Sequence, residues 1–332
     1  NPDSALHLTA AMGHNSWHLQ LFCPDPIGDS AMRNRKFVLN VLIVTAVTAN
    51  FMAAGSATAA DKLKLLIIDG QNNHNWRVTT PVLEGFLSKS GRYEVTVATT
   101  PTNGNAPADA WKAFNPDFSK YDVVLSNYNG QMWPDGVKAN FEKYVSNGGA
   151  VCIVHAANNA FTNWAEFNRM IGLGWRGASF GDRITFSNDG KLVRTPKGQG
   201  PGAGHGPQHD FSIIVRQPEH PVMEGLPREW MHAKDELYHG QRGPAADMHI
   251  LATALAAKGG TNAHEPMVWW IPYGKGKVFT TVMGHSDYSM TCVGFQTVVL
   301  RGCEWAATGK VSFKVPDTFP GVEKVSVSDP RK

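Results

Sequence analysis

Cysteine is scarce in this chain. Its 332 residues include four, none in a C-x-x-C pair, which excludes a disulfide framework and a zinc-knuckle pattern. Charge bias is missing too. Lys and Arg number 31 and Asp and Glu 28, a formal net charge of +3. That balance argues against a nucleic-acid binder or a protein held to anionic membranes by charge. No internal repeat is found. An apolar content of 42%, with 18% charged residues, 33 Gly and 20 Pro, excludes disorder, collagen and coiled coil as whole-chain readings. Tryptophan, by contrast, is plentiful at ten.

The first sixty residues read as a leader rather than as fold. Arg33, Arg35 and Lys36 follow Met32, and a mostly apolar run extends from Phe37 to Ala54. Asn40, Thr45, Thr48 and Asn50 interrupt it, and Ala57-Thr58-Ala59 forms an A-x-A cleavage signal. This order is that of a secretory signal peptide over 32–59. There is no Arg-Arg pair, so the general export route is expected. Residues 1–31 are expected to be a non-native upstream segment. The expected domain is therefore 60–332, exported to the periplasm or the outside, with no stable membrane anchor after cleavage. One disulfide stays open for such a chain. It is not Cys292–Cys303, which stand eleven apart on one predicted helix and so roughly 16 Å apart.

Past the leader, apolar runs alternate with amphipathic ones. Strands are predicted at Lys62–Asp69, Tyr93–Ala98, Tyr121–Ser126 and Ala150–Val154. Helices are predicted from Thr79-Thr80-Pro81 to Lys89, over Asp135–Val145 and over Trp164–Ile171. Later strands are predicted at Phe211–Arg216, Ile250–Ala254, Val268–Ile271 and Lys277–Met283, and a closing helix at Val293–Ala306. Asn188-Asp189-Gly190 marks a hairpin. Strand–helix–strand spacing of this kind gives a doubly wound α/β fold, a parallel sheet covered on both faces. A β-rich insertion is expected around 180–265.

Ligands in such folds bind at the carboxyl ends of the strands. Those ends are unusually polar here. Gln71, Asn72, Asn73, His74 and Trp76 follow the first strand, and His155, Asn158 and Asn159 follow the fourth. His285 follows Lys277–Met283. His205, Gln208 and His209 lie in a Gly- and Pro-rich loop. Asp235 and Glu236 are sequential, so in a strand they face opposite ways and one enters the site. Glu236 and Tyr238 share parity.

The segments IIDGQNNHNW (67–76), VHAANNAF (154–161), GPQHDF (206–211), HPVMEGLP (220–227), HAKDELY (232–238), HEPMVW (264–269) and YGKGKVFTTVMGH (273–285) together resemble the ThuA-like, trehalose-utilisation family over about 62–315. That resemblance implies membership of the class I glutamine amidotransferase-like superfamily, a flavodoxin-like three-layer fold. Amidotransferases place a nucleophilic Cys on the turn where this chain has His155. Cys152 lies within the strand and reads as a small core residue, so glutaminase chemistry is not implied.

The resemblance implies a small carbohydrate substrate: trehalose, another disaccharide or a 3-keto-glycoside. On this reading His155 or His285 acts as base, and Glu236 or Asp235 as acid or as the group orienting a His. Gln71, Asn72, Asn73, His74, Asn158, Asn159, Gln208 and Tyr238 are expected to bind sugar, with Trp76, Trp133 or Trp164 as aromatic platform. Hydrolysis, elimination and isomerisation stay open. One alternative is metal-centred: zinc or manganese on His74, His155, His209 and His285, with Glu236 as carboxylate. Another is a carbohydrate binder without turnover. Trp269-Trp270 fits either a core or the interface of a homodimer.

Overall fold

β1 (Leu63–Asp69) is an aliphatic run buried along most of its length, as a central parallel strand must be. The structure, a computed structural model, describes residues 61–332; the expected leader and upstream segment lie outside the described residues. After β1 come α1 (Trp76–Lys89), β2 (Tyr93–Thr99), β3 (Val123–Ser126), α2 (Asp135–Ser146), β4 (Ala150–Val154) and α3 (Ala165–Ile171). The second half supplies β5 (Arg183–Phe186), β6 (Leu192–Thr195), β7 (Gly204–His205), β8 (His209–Val215), β9 (Glu229–Asp235) and β10 (Tyr238–His239). It continues with β11 (His249–Leu255), β12 (His264–Tyr273), β13 (Gly276–Thr281), α4 (Asp287–Met290) and α5 (Val293–Thr308).

The main sheet runs β2-β1-β3-β4-β13-β12-β11-β8-β9. Its first five strands are parallel. This is the flavodoxin-like order, with β13 in fifth place. From β13 onward each neighbour is antiparallel, so a doubly wound parallel sheet describes only half of the strands. The expected β-rich insertion continues the same sheet, and the β5–β6 hairpin joins its flank at His264.

Strand parity sorts the core into two layers. Leu65 and Ile67 of β1 face α1 and α5, packing with Leu83, Phe86, Phe295 and Val299. Leu66 and Ile68 face the other way, with Phe141 of α2 and Phe167 of α3. Trp133 and Trp164 belong to that second layer, against Phe141 and Phe161, so neither is a platform for sugar. Trp269 is buried and donates to the Ile171 carbonyl, which places it in the core. Cys152, Cys292 and Cys303 are free and buried. Cys292 caps α5 rather than lying in it.

α1 begins at Trp76, earlier than Thr79-Thr80-Pro81 suggests. The two threonines are buried within the helix, where each hydroxyl accepts from Asn127 Nδ2 at 3.0 Å. They anchor the loop after β3 instead of capping. Among the described residues, no helix is long and apolar enough to cross a membrane.

The loop leaving β1 depends on Gly70, whose φ is +112°. A Cβ there would stand 2.4 Å from Thr100 Oγ1 and 2.7 Å from the Thr100 backbone. Gly70→Ala should lower stability by about 1–3 kcal/mol from backbone strain alone. A urea titration checks this, read as a lower midpoint at unchanged slope.

Candidate metal centre

Four chain segments deliver one side chain each to the carboxyl edge of the parallel strands. His74 sits on the loop after β1. His155 directly follows β4 with φ +46°, the left-handed region that histidine tolerates better than most residues. His285 follows Gly284, whose φ is +108°. Glu236 follows β9. That strand is the far edge of the sheet, yet its end reaches the end of β13. Register shifts in the β11–β12 and β8–β9 pairings add the twist that curls the antiparallel half back.

The four side chains meet. One donor atom from each of His74, His155, Glu236 and His285 lies within 4.8 Å of all the others. Glu236 Oε2 is 3.6 Å from His74 Nε2, 3.6 Å from His155 Nε2 and 3.1 Å from His285 Nδ1. Neither His155 Nε2 nor His285 Nδ1 has a hydrogen-bond partner among the described residues. Donors held about 2.1 Å from an ion at tetrahedral angles stand about 3.4 Å apart, so the spacing fits a shared cation.

The outward ring nitrogens explain why the inner ones are free. His155 Nδ1 lies 2.7 Å from the Val282 carbonyl, to which it can only donate. His74 Nδ1 lies 3.3 Å from Asn72 Oδ1, which also accepts from the His74 backbone N–H. Both assignments leave Nε2 as a lone pair aimed inward, the arrangement that metal-binding histidines show. His285 differs: its Nε2 accepts from Gln208 Nε2 at 2.9 Å, which puts the proton of the neutral ring on the inward Nδ1, 3.1 Å from Glu236 Oε2, so ligation through Nδ1 needs the Gln208 amide turned to present its oxygen. Burial would raise the Glu236 pKa, but the imidazoles of His155, His285 and His74 hold it well below the usual carboxylate range. Burial lowers His74, so its imidazole is neutral near pH 7. Burial also opposes charge on His285, but Glu236 outweighs it and raises that pKa.

Asp235 faces away from the cluster and is fully buried. Its carboxylate accepts from His232 Nε2 at 2.7 Å and from the backbone N–H of Glu236, Gly284 and His285 at 2.7–2.9 Å. It is the group that orients two of the cluster residues, through their backbones.

The remaining expected site residues scatter. His209 does not reach the cluster; its Nδ1 donates to the Pro207 carbonyl. Gln71 spends its amide on the Asn103 carbonyl and the Gln131 backbone. Asn158 is buried and bonded to Gln241. The Asn159 backbone carbonyl accepts from Arg176, while its buried side-chain Oδ1 has no hydrogen-bond partner among the described residues. Tyr238 is buried against His155, ring centroids 4.3 Å apart. Asn72, Asn73 and Trp76 line a cleft beside His74. Two neighbours were not among the expected site residues. His205 Nε2 lies 3.5 Å from Glu236 Oε1, and Trp175 packs against both Tyr238 and His205. Only the pairing of the two-residue strands β7 and β10 brings His205 there, and no spacing in the sequence signals it.

Fold and cluster together define a class: a flavodoxin-like α/β protein with a histidine–glutamate site at the carboxyl edge of its parallel strands. The sequence profile of ThuA, described as trehalose utilisation, matches residues 64–306. The chain belongs to the ThuA family. A solved structure of a ThuA-like protein from Parabacteroides merdae ATCC 43184 is 43% identical, with a TM-score of 0.76 over 82% of this chain and 99% of that one. A ThuA-like protein from Bacteroides uniformis ATCC 8492 is 20% identical, with a TM-score of 0.51 over 77% and 96%; it supports the fold alone. A search of curated proteins finds no match.

Burial disfavours charge on His232, but the Cys292 sulfur and the Asp235 carboxylate outweigh it and raise its pKa to about 10. In the unfolded chain His titrates near 6.5. The stabilisation from this pair is therefore complete between about pH 4 and 6.5, drains away as pH rises to 10, and is lost again in acid as Asp235, whose pKa burial would raise but His232 holds down, takes up a proton. Asp235→Ala leaves His232 buried without its counter-charge and should cost about 3–5 kcal/mol. Denaturation at several pH values should show the loss to be largest between about pH 4 and 6.5 and smaller near pH 10.

Proposed function

We propose that His74, His155, His285 and Glu236 hold a divalent transition metal, and that the protein uses it on a small saccharide. The observation that carries this is the convergence of three imidazole nitrogens on one carboxylate oxygen, two of them with their ring protons committed elsewhere. A nitrogen-rich donor set with a single carboxylate suits zinc or manganese. The family's description as trehalose utilisation supports a carbohydrate substrate.

A metal at this position supplies a Lewis acid for a sugar carbonyl or hydroxyl. The chain does the rest. Asn72 and the Val282 carbonyl fix two imidazoles in the ligating tautomer. Gln208 steadies His285, and Tyr238 packs beneath His155. His205 stands on the outer side of Glu236, partly exposed, where its imidazole can exchange a proton with a bound sugar. An oxidised sugar such as a 3-keto-glycoside needs a proton removed beside its carbonyl and the oxygen polarised. These groups suffice for hydrolysis, elimination or isomerisation of that kind without a covalent nucleophile. Cys152 is buried within β4 and takes no part. The leader pattern over 32–59 supports export to the periplasm or beyond.

Protein purified without an affinity tag or chelator should carry about one transition metal per chain by elemental analysis. His155→Ala and Glu236→Ala should lose it while remaining folded. No bound metal after reconstitution with zinc or manganese would sink this reading and leave His285 and Glu236 as a proton-transfer pair. The ligating imidazoles must be neutral, and His285 holds its proton more tightly than a free His. Metal affinity should therefore already fall as pH drops toward the free-histidine value of about 6.5, and binding near neutral pH should release protons. Calorimetry in buffers of different ionisation enthalpy measures that release.

A further inference from the structure

Beside the cluster, between the loops that follow β1 and β3, lies a cleft of about 360 Å³. We propose that it is a second saccharide subsite, so that the substrate spans two sugar rings, one at the metal cluster and one here. The inference rests on the function proposed above and adds where the second ring lies and what holds it.

The cleft is built, not incidental. Gln71 and Gln131 form a rigid floor: Gln71 Oε1 accepts from the Gln131 backbone at 2.8 Å, and Gln131 Oε1 accepts from the Ala106 backbone at 2.9 Å. Gly130 lets the floor close, since a Cβ there would stand 2.3 Å from Gln71 Oε1. Above the floor, Asn129 Nδ2 donates to Asn73 Oδ1 at 2.6 Å. That leaves the Asn73 Nδ2 amino group, with both its N–H donors, beside the Asn129 Oδ1 acceptor, a donor–acceptor pair that matches two adjacent sugar hydroxyls. The Trp76 indole, with the Arg77 guanidinium stacked 4.3 Å from its ring centroid, adds a flat apolar surface and further donors. No carboxylate lines the cleft.

One residue ties the cleft to the cluster. Asn72 lines it and also holds the His74 ring and backbone. The volume sits at the small end of ligand pockets, so the cleft suits one ring better than a whole disaccharide. A disaccharide would have to reach past Asn72 to His74, which is where the cluster begins.

Calorimetric titration of the metal-loaded wild type with trehalose and with glucose tests this. Trehalose should bind at least about tenfold more tightly than glucose. Asn129→Leu and, separately, Trp76→Ala should bring trehalose down to the affinity of glucose, with metal content unchanged in both and melting temperature unchanged in Asn129→Leu. Two variants are used because Trp76 opens α1 and its loss can disturb the helix. Equal affinity for the two sugars, or trehalose affinity untouched in Asn129→Leu, overturns the second subsite while leaving the metal-centred reading intact. No binding of either sugar by the metal-loaded wild type overturns the second subsite and the saccharide part of the proposed function, whereas the metal centre stands or falls by the elemental analysis.

Discussion

The carboxylate of Asp235 holds the two halves of this molecule in register at the place that matters. Four donors converge on it: the His232 ring and three backbone N–H groups, one from the segment after β9 and two from the segment after β13. β9 and β13 are not neighbours in the sheet; β12, β11 and β8 lie between them. Their ends meet because the antiparallel half curls. A buried charge is tolerable only when fully paired, and Asp235 is paired only when the curl is complete. The polar bookkeeping of one side chain therefore specifies the shape of the sheet, and with it the positions of Glu236 and His285.

Much of the parallel half was legible from residue pattern. Its central strands β1, β3 and β4 are short, mostly aliphatic runs largely buried on both faces, edge strand β2 is only partly buried, and its helices carry clear apolar stripes. The start of α1 was not, because Thr79 and Thr80 look like caps and instead receive a side chain from another loop. The antiparallel half was harder. Its strands alternate burial unevenly, and their pairing is long-range with register shifts.

The cluster was legible to the extent that strand ends are. His74, His155 and His285 each follow a parallel strand, and alternation along 232–238 implied that Asp235 and Glu236 face opposite ways, which they do. His205 and His209 lie four apart in one loop and could not be told apart by spacing; strand pairing brings the first to Glu236 and leaves the second outside. The amides divide for the same reason. Gln71 has the right chemistry, but the fold has already spent it on internal hydrogen bonds, and Asn158 has spent its Nδ2 on Gln241.

The cluster draws its members from positions 74, 155, 236 and 285, and each interval between them is a long stretch of chain. An ion bound there is more than a reagent. It is a cross-link that closes several large loops at once, each of which is entropically costly to close in the unfolded chain. Any binding that is specific to the folded state adds to stability in proportion to the logarithm of free-ligand concentration. The resistance of this protein to heat and to proteolysis would then track the metal content of its surroundings, making its lifetime in a compartment a record of the ion supply there.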